Sequence, residues 1–134
     1  MNTYVDIILR LLLAAALGAG IGFQRERANK PAGLRTHCLI CLGAALFTVV
    51  SIYGFGEGSD PSRVAAAVAT GIGFIGAGVI FRGMGSTHVV GLTTAASVWV
   101  TAAIGLAAGV GMYLIASIIA VITVLVLMIP KVRG

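Results

Sequence analysis

The chain of 134 residues is 59% hydrophobic and 10% charged, with a mean hydropathy of +1.08, whereas soluble domains carry roughly 25% charged residues. So little charge cannot coat a water-facing surface, which excludes a soluble domain and makes the chain an integral membrane protein. The net charge of +5 then reports topology and gives no reason to expect nucleic acid as a partner.

A helix needs about 20 apolar residues to cross a bilayer. The first predicted span covers residues 5–23. Asp6 and Arg10 lie one helical turn apart on it, acid first, which favours a local ion pair. The pair is either an interfacial anchor, with Arg10 reaching the headgroups, or a contact facing the bundle interior. Asp6 and Arg10 also interrupt any signal-peptide core, so the first span is expected to stay in place as a membrane helix.

Pro31 and Gly33 stop that helix, and a second span is predicted over 34–54. Cys38 and Cys41 lie inside it with no second ligand pair, which favours packing over redox or metal chemistry. A polar turn follows, and Asp60-Pro61 is a good helix start. The third span is predicted over 63–81. From Gly91 to Ile129 the chain has no charge, a stretch too long for one span and right for two. Spans are therefore expected over 92–107 and 110–129, all five in a single transmembrane domain.

Two stretches of the chain match without a gap when shifted by 58 positions (76 − 18 = 58): Gly18/Gly76, Ala19/Ala77, Gly20/Gly78, Phe23/Phe81, Gly33/Gly91, Leu34/Leu92 and Thr36/Thr94. The fold class expected is all-α, with parallel duplicated helix–loop–helix units, spans 1–2 and 3–4, plus a fifth helix. Basic residues set the orientation. Arg25, Arg27, Lys30, Arg35, Arg82, Lys131 and Arg133 share one side, against Arg10 and Arg63 on the other. The positive-inside rule puts the larger group, and the C-terminus, in the cytoplasm and the N-terminus outside.

Inside lipid, close backbone packing at small residues brings helices together. Gly18 and Gly22, and Gly71, Gly73, Gly76 and Gly78, are the candidate packing glycines. They serve packing within the chain, contact with a second copy or partner, or a locally unwound segment over 71–78 lining a cavity. A cytoplasmic cluster is expected from Arg25, Glu26, Arg27, Lys30, Arg35, Thr36, His37 and Arg82. It is either an orientation signal in contact with anionic lipid headgroups or a site for a small anion or partner. Glu26 is expected to pair with Arg35 or Arg82. One acid among so many bases is hostile to Mg²⁺, so no metal site is expected. Thr93, Thr94, Ser97 and Thr101 give the fourth span a polar face, for bonds to neighbouring helices and backbone or for an ion path. Neither His37 nor His88 has an acid and nucleophile nearby in sequence, so neither an enzyme nor a cofactor is expected.

Several motifs together resemble the MgtC/SapB family of bacterial inner-membrane proteins. They are Leu9 to Gly18, Arg25-Glu26-Arg27, Lys30-Pro-Ala-Gly-Leu-Arg-Thr-His37 leading into Leu42 to Phe47, Gly71 to Ile80, and Gly91 to Trp99. The resemblance implies about five spans, a cytoplasmic C-terminus, and links to growth in low magnesium and to survival of pathogens inside macrophages. It implies a protein that acts on itself or on partner membrane proteins, including the F-type ATP synthase, and does not itself move magnesium. Many members carry a soluble C-terminal domain that this chain lacks, so a short form or a trimmed piece is expected. A non-enzymatic regulator, oligomeric or partner-bound, is the leading expectation. A small transporter or channel for an ion or small anion is the alternative.

Overall fold

A computed structural model describes residues 2–82 and 89–130. Five helices follow one another: α1 (Thr3–Arg27), α2 (Leu34–Tyr53), α3 (Ser62–Val79), α4 (Leu92–Gly109) and α5 (Tyr113–Leu127). Between α3 and α4 a two-residue antiparallel ladder pairs β1 (Phe81–Arg82) with β2 (Val89–Val90), with Phe81 opposite Val90. Apart from that short ladder the fold of the described residues is helical, with four helices long and apolar enough to cross a membrane and a shorter fifth.

Local chemistry sets the helix ends. Asn2 Oδ1 accepts the Tyr4 amide at 2.7 Å, so α1 starts with a side-chain cap. At its far end Asn29 turns to φ 57, and Pro31 follows. The Asp60 carboxylate accepts the Ser62 amide at 3.0 Å and the Ser62 hydroxyl at 2.7 Å, which starts α3 one residue after Pro61. Those two bonds hold the Asp60 carboxyl below its ordinary range. Gly91 sits at φ +92 ahead of α4, where any Cβ would run into the Val79 carbonyl. Only glycine tolerates both demands. The turn between α4 and α5 falls at residues 110–112, with Gly111 at φ +92. Gly105 lies within α4.

α2 is the centre of the bundle. It packs against α1 on one side and α4 on the other, while α5 closes over α1 and α4. α3 lies mainly against α4. The core is built from small side chains: Ala14, Cys41, Ala45, Ala108 and Ala116 are all fully buried, along with Ile21 and Ile104. Small residues let the helix backbones approach, which is how bundles cohere without a hydrophobic drive from lipid. A Cβ at Gly18 would stand 2.6 Å from His37 O and 2.7 Å from Cys41 Cβ. One at Gly22 would stand 2.7 Å from Leu34 Cα, and one at Gly109 2.7 Å from Thr48 Cβ.

The two hairpins share a contact that the offset predicts. Gly18 faces His37 and Gly76 faces Ala95, so in both hairpins the glycine meets the residue 19 positions on (37 − 18 = 95 − 76 = 19). α3 is a continuous helix through Gly71 to Gly78, so the unwound segment offered by the sequence is not formed. A glycine-rich stretch can stay helical in lipid because its backbone groups have no better partner than one another.

Candidate functional site

Three helices meet where α1 ends and where α2 and α4 begin. Arg25 is on the last turn of α1, at the i+7 position from Gly18 and i+3 from Gly22, on the face the glycines turn toward α2. It is 3% exposed, and its Nη2 donates to Thr94 Oγ1 at 2.8 Å across to α4. Its Nε has no partner among the described residues.

His37 is fully buried on the first turn of α2. Its Nδ1 lies 2.9 Å from Gly33 O and its Nε2 2.9 Å from Ser97 Oγ. A carbonyl only accepts, so Nδ1 carries a proton. The Ser97 hydroxyl donates to Thr94 O at 2.7 Å, and its single proton is shared between that carbonyl and Nε2 of the neutral ring. Thr101 Oγ1 donates to Ser97 O at 2.6 Å. Arg25, Thr94, Ser97, His37 and Gly33 thus form one connected polar seam through three helices. Its hydroxyls bond both their own helix and a neighbouring one. Thr94, Ser97 and Thr101 are buried together, while Thr93 faces out.

The charged cluster expected from the sequence is divided. Arg25 and His37 are inside, while Arg27, Lys30, Arg35 and Thr36 are exposed. Glu26 makes no ion pair with Arg35. Its carboxylate instead accepts the Leu34 amide at 3.0 Å and packs against Gly33, capping α2. A helix start is the stronger attraction, because its free amides and dipole act at short range on a nearby carboxylate. Arg82 contributes its backbone to β1. Its side chain, His88, Lys131 and Arg133 lie outside the described residues.

The Asp6–Arg10 pair forms, at 2.8 Å, and faces the bundle. Arg10 Nη1 donates to Gly109 O at 2.8 Å, capping the end of α4, and the Arg10 guanidinium lies 5.6 Å from the Tyr53 ring centre. Tyr113 donates to Asp6 at 2.7 Å. The pair therefore clasps α1 to α2, α4 and α5. Tyr53, Tyr113 and the Gly109 carbonyl are partners the sequence left unnamed. Their separations of 43, 103 and 99 residues from Arg10 (53 − 10, 113 − 10, 109 − 10) put them beyond any local pattern.

The candidate packing glycines divide as well. Gly18 and Gly22 are closed in between α1 and α2, and Gly76 has Ala95 Cβ at an ordinary 3.6 Å. Gly71, Gly73 and Gly78 would meet nothing within 4 Å. Beside them an apolar groove of about 500 Å³ runs between α2 and α3, lined by Gly43, Phe47, Val68, Gly71 and Ile75 among others. Among the described residues no three His, Cys, Asp or Glu side chains gather as a metal site would need. Cys38 and Cys41 are free thiols.

Buried helix interfaces of small residues, long apolar helices and broad outward apolar faces define a multi-pass α-helical membrane protein. The chain belongs to the MgtC family, whose family model matches residues 11–132. It is 52% identical over 129 residues to YhiD of Escherichia coli, whose name offers magnesium transport as a conjecture, across 91% of this chain and 59% of that protein. It is 44% identical to Protein SapB of Bacillus subtilis, across 81% of this chain and 49% of that one. Protein MgtC of Brucella abortus is 48% identical, across 74% of this chain and 40% of its own length. The chain thus spans about half the length of these relatives. No solved structure matches.

Proposed function

We propose that this chain is a non-enzymatic regulatory protein of the bacterial inner membrane, acting by helix contact with itself or with partner membrane proteins. The observation that carries the proposal is the uncovered surface of α3. Gly71 and Gly78 lie on the Phe74 side of the helix and Gly73 is about 100° round from Phe74; all three glycines meet nothing within 4 Å, and Phe74 is 83% exposed. Small residues flanking an aromatic side chain on a membrane helix suit a second helix at close range. The family resemblance supplies the setting: adaptation to low magnesium, intracellular survival in pathogens, and a partner such as the F-type ATP synthase. The excess of basic residues at one end supports an external N-terminus and a cytoplasmic C-terminus.

The test is a doubly substituted α3, Gly71→Leu with Gly73→Leu, as the sole copy in a strain that depends on the protein for growth in low magnesium. Normal melting and membrane level with lost growth and lost assembly is the expected outcome. Unchanged growth and assembly would rule the contact face out.

A second function, ion transport, draws support from the name of the Escherichia coli relative. Proteoliposomes that pass Mg²⁺, with loss in Thr94→Val, would favour it over regulation.

A further inference from the structure

The duplication exposes an imbalance between the starts of α2 and α4. The start of α2 has its own anion, because Glu26 accepts the Leu34 amide. Among the described residues the start of α4 has no side-chain cap, and in the sequence the 58-residue offset pairs Met84 with Glu26 (26 + 58 = 84). Residues 83–88 contain no acid at all. Yet the first turn of α4 receives a guanidinium: Arg25 donates to Thr94 Oγ1 from a site 3% exposed, and its Nε has no partner among the described residues.

None of the chain's four acids is positioned to neutralise Arg25. Asp6 is engaged by Arg10 near the opposite end of α1. Glu26 caps α2. Glu57 and Asp60 lie in the α2–α3 connection, a helix length away. An enclosed guanidinium without a counterion is costly, and the positive end of a helix dipole beside it adds to the cost. Both are relieved by one anion. Leu92 and Thr93 are exposed on that first turn, so the approach is from the water end of the bundle, past the exposed bases Arg27, Lys30 and Arg35.

We infer that Arg25 and the open first turn of α4 bind a phosphate-type anion, held by the guanidinium and the first amides of the helix. This inference does not rest on the regulatory proposal. The same chemistry suits inorganic phosphate and the phosphate of an anionic lipid headgroup.

The full chain, delipidated in a neutral detergent, is titrated with inorganic phosphate while the arginine Nε–H signals are followed by NMR. In parallel, nanodiscs of phosphatidylglycerol and of phosphatidylcholine are compared. The expected result is a saturable shift of the Arg25 Nε–H signal, with phosphate alone if the ligand is the free ion, or with phosphatidylglycerol only if it is a headgroup. Arg25→Gln should weaken binding at least about tenfold, the equivalent of losing one charge-assisted hydrogen bond, while the exposed Arg27→Gln and Arg35→Gln leave it within about twofold. Because Arg25→Gln disturbs a packed seam, the wild-type signal decides if that variant does not fold. No shift with either phosphate source, or binding that falls equally in all three variants, would overturn the site.

Discussion

A Cβ added at Gly18 would press against the His37 carbonyl at 2.6 Å, while one at its counterpart Gly76 would find Ala95 Cβ at 3.6 Å. The first hairpin is locked and the second is loose. In the first, α1 and α2 share the most extensive interface of the bundle, Glu26 ties their ends together, and His37 and Arg25 tie both helices to α4. In the second, α3 leaves Gly71, Gly73 and Gly78 without neighbours and hardly touches α2. The matched glycines behave alike, with Gly18 and Gly76 facing the next helix and Gly20 and Gly78 open, but the contact is tight in the first hairpin and ordinary in the second. Glycine in a membrane helix therefore marks where a backbone can approach, and the neighbour decides whether it does so within the chain.

The sharpest break of that comparison is a bulky side chain in each copy. Gly18→Leu should destabilise by about 3 kcal/mol or more, since backbone atoms of α2 cannot yield as a side-chain tip could. Gly73→Leu should stay within about 0.5 kcal/mol, as surface changes usually do. Melting in detergent, followed by circular dichroism, checks both. Equal losses would mean that α3 is covered after all.

The polar seam gives the next effect. Thr94→Val keeps the shape but removes the acceptor for Arg25, and should cost about 1–3 kcal/mol by leaving a buried donor unmet. Ser97→Ala should cost about 1 kcal/mol, because His37 loses a neutral partner only. A smaller loss for Thr94→Val than for Ser97→Ala in the same melts would place the weight of the seam on His37 and not on Arg25.

The smallest effect belongs to Asp60, at the exposed start of α3. Its folded pKa is lowered, so its contribution is present above the unfolded value and fades as pH falls below about 4. Asp60→Asn should flatten that slight acid dependence in a melting series. A steeper dependence in the variant would contradict the capping role.

Much of this was legible in the residues. Apolar length fixed the helices, and the 58-residue offset foretold that Gly18 and Gly76 occupy equivalent positions. The i, i+4 spacing of Asp6 and Arg10 gave their pair, since a local contact needs only helical periodicity. The direction each face turns was not legible. Gly71, Gly73 and Gly78 read as packing glycines beside Gly18 and Gly22, and only the path of α3 shows that they meet no neighbour. Glu26 read as an ion-pair partner because charge is visible in sequence, while the free amides at the start of α2 are visible only once the chain is folded. Arg25 looked like one more topological base among Arg27, Lys30 and Arg35. The spacing Gly18, Gly22, Arg25, all on one face, was the signal that it turns inward.

The outward face of α3 is tested most directly by photo-crosslinking in inner membranes, with a benzophenone side chain replacing Phe74. A discrete protein adduct, either a second copy or one partner subunit, that disappears when Gly73→Leu is added, is the predicted result. Adducts with lipid alone, unchanged by Gly73→Leu, would contradict it.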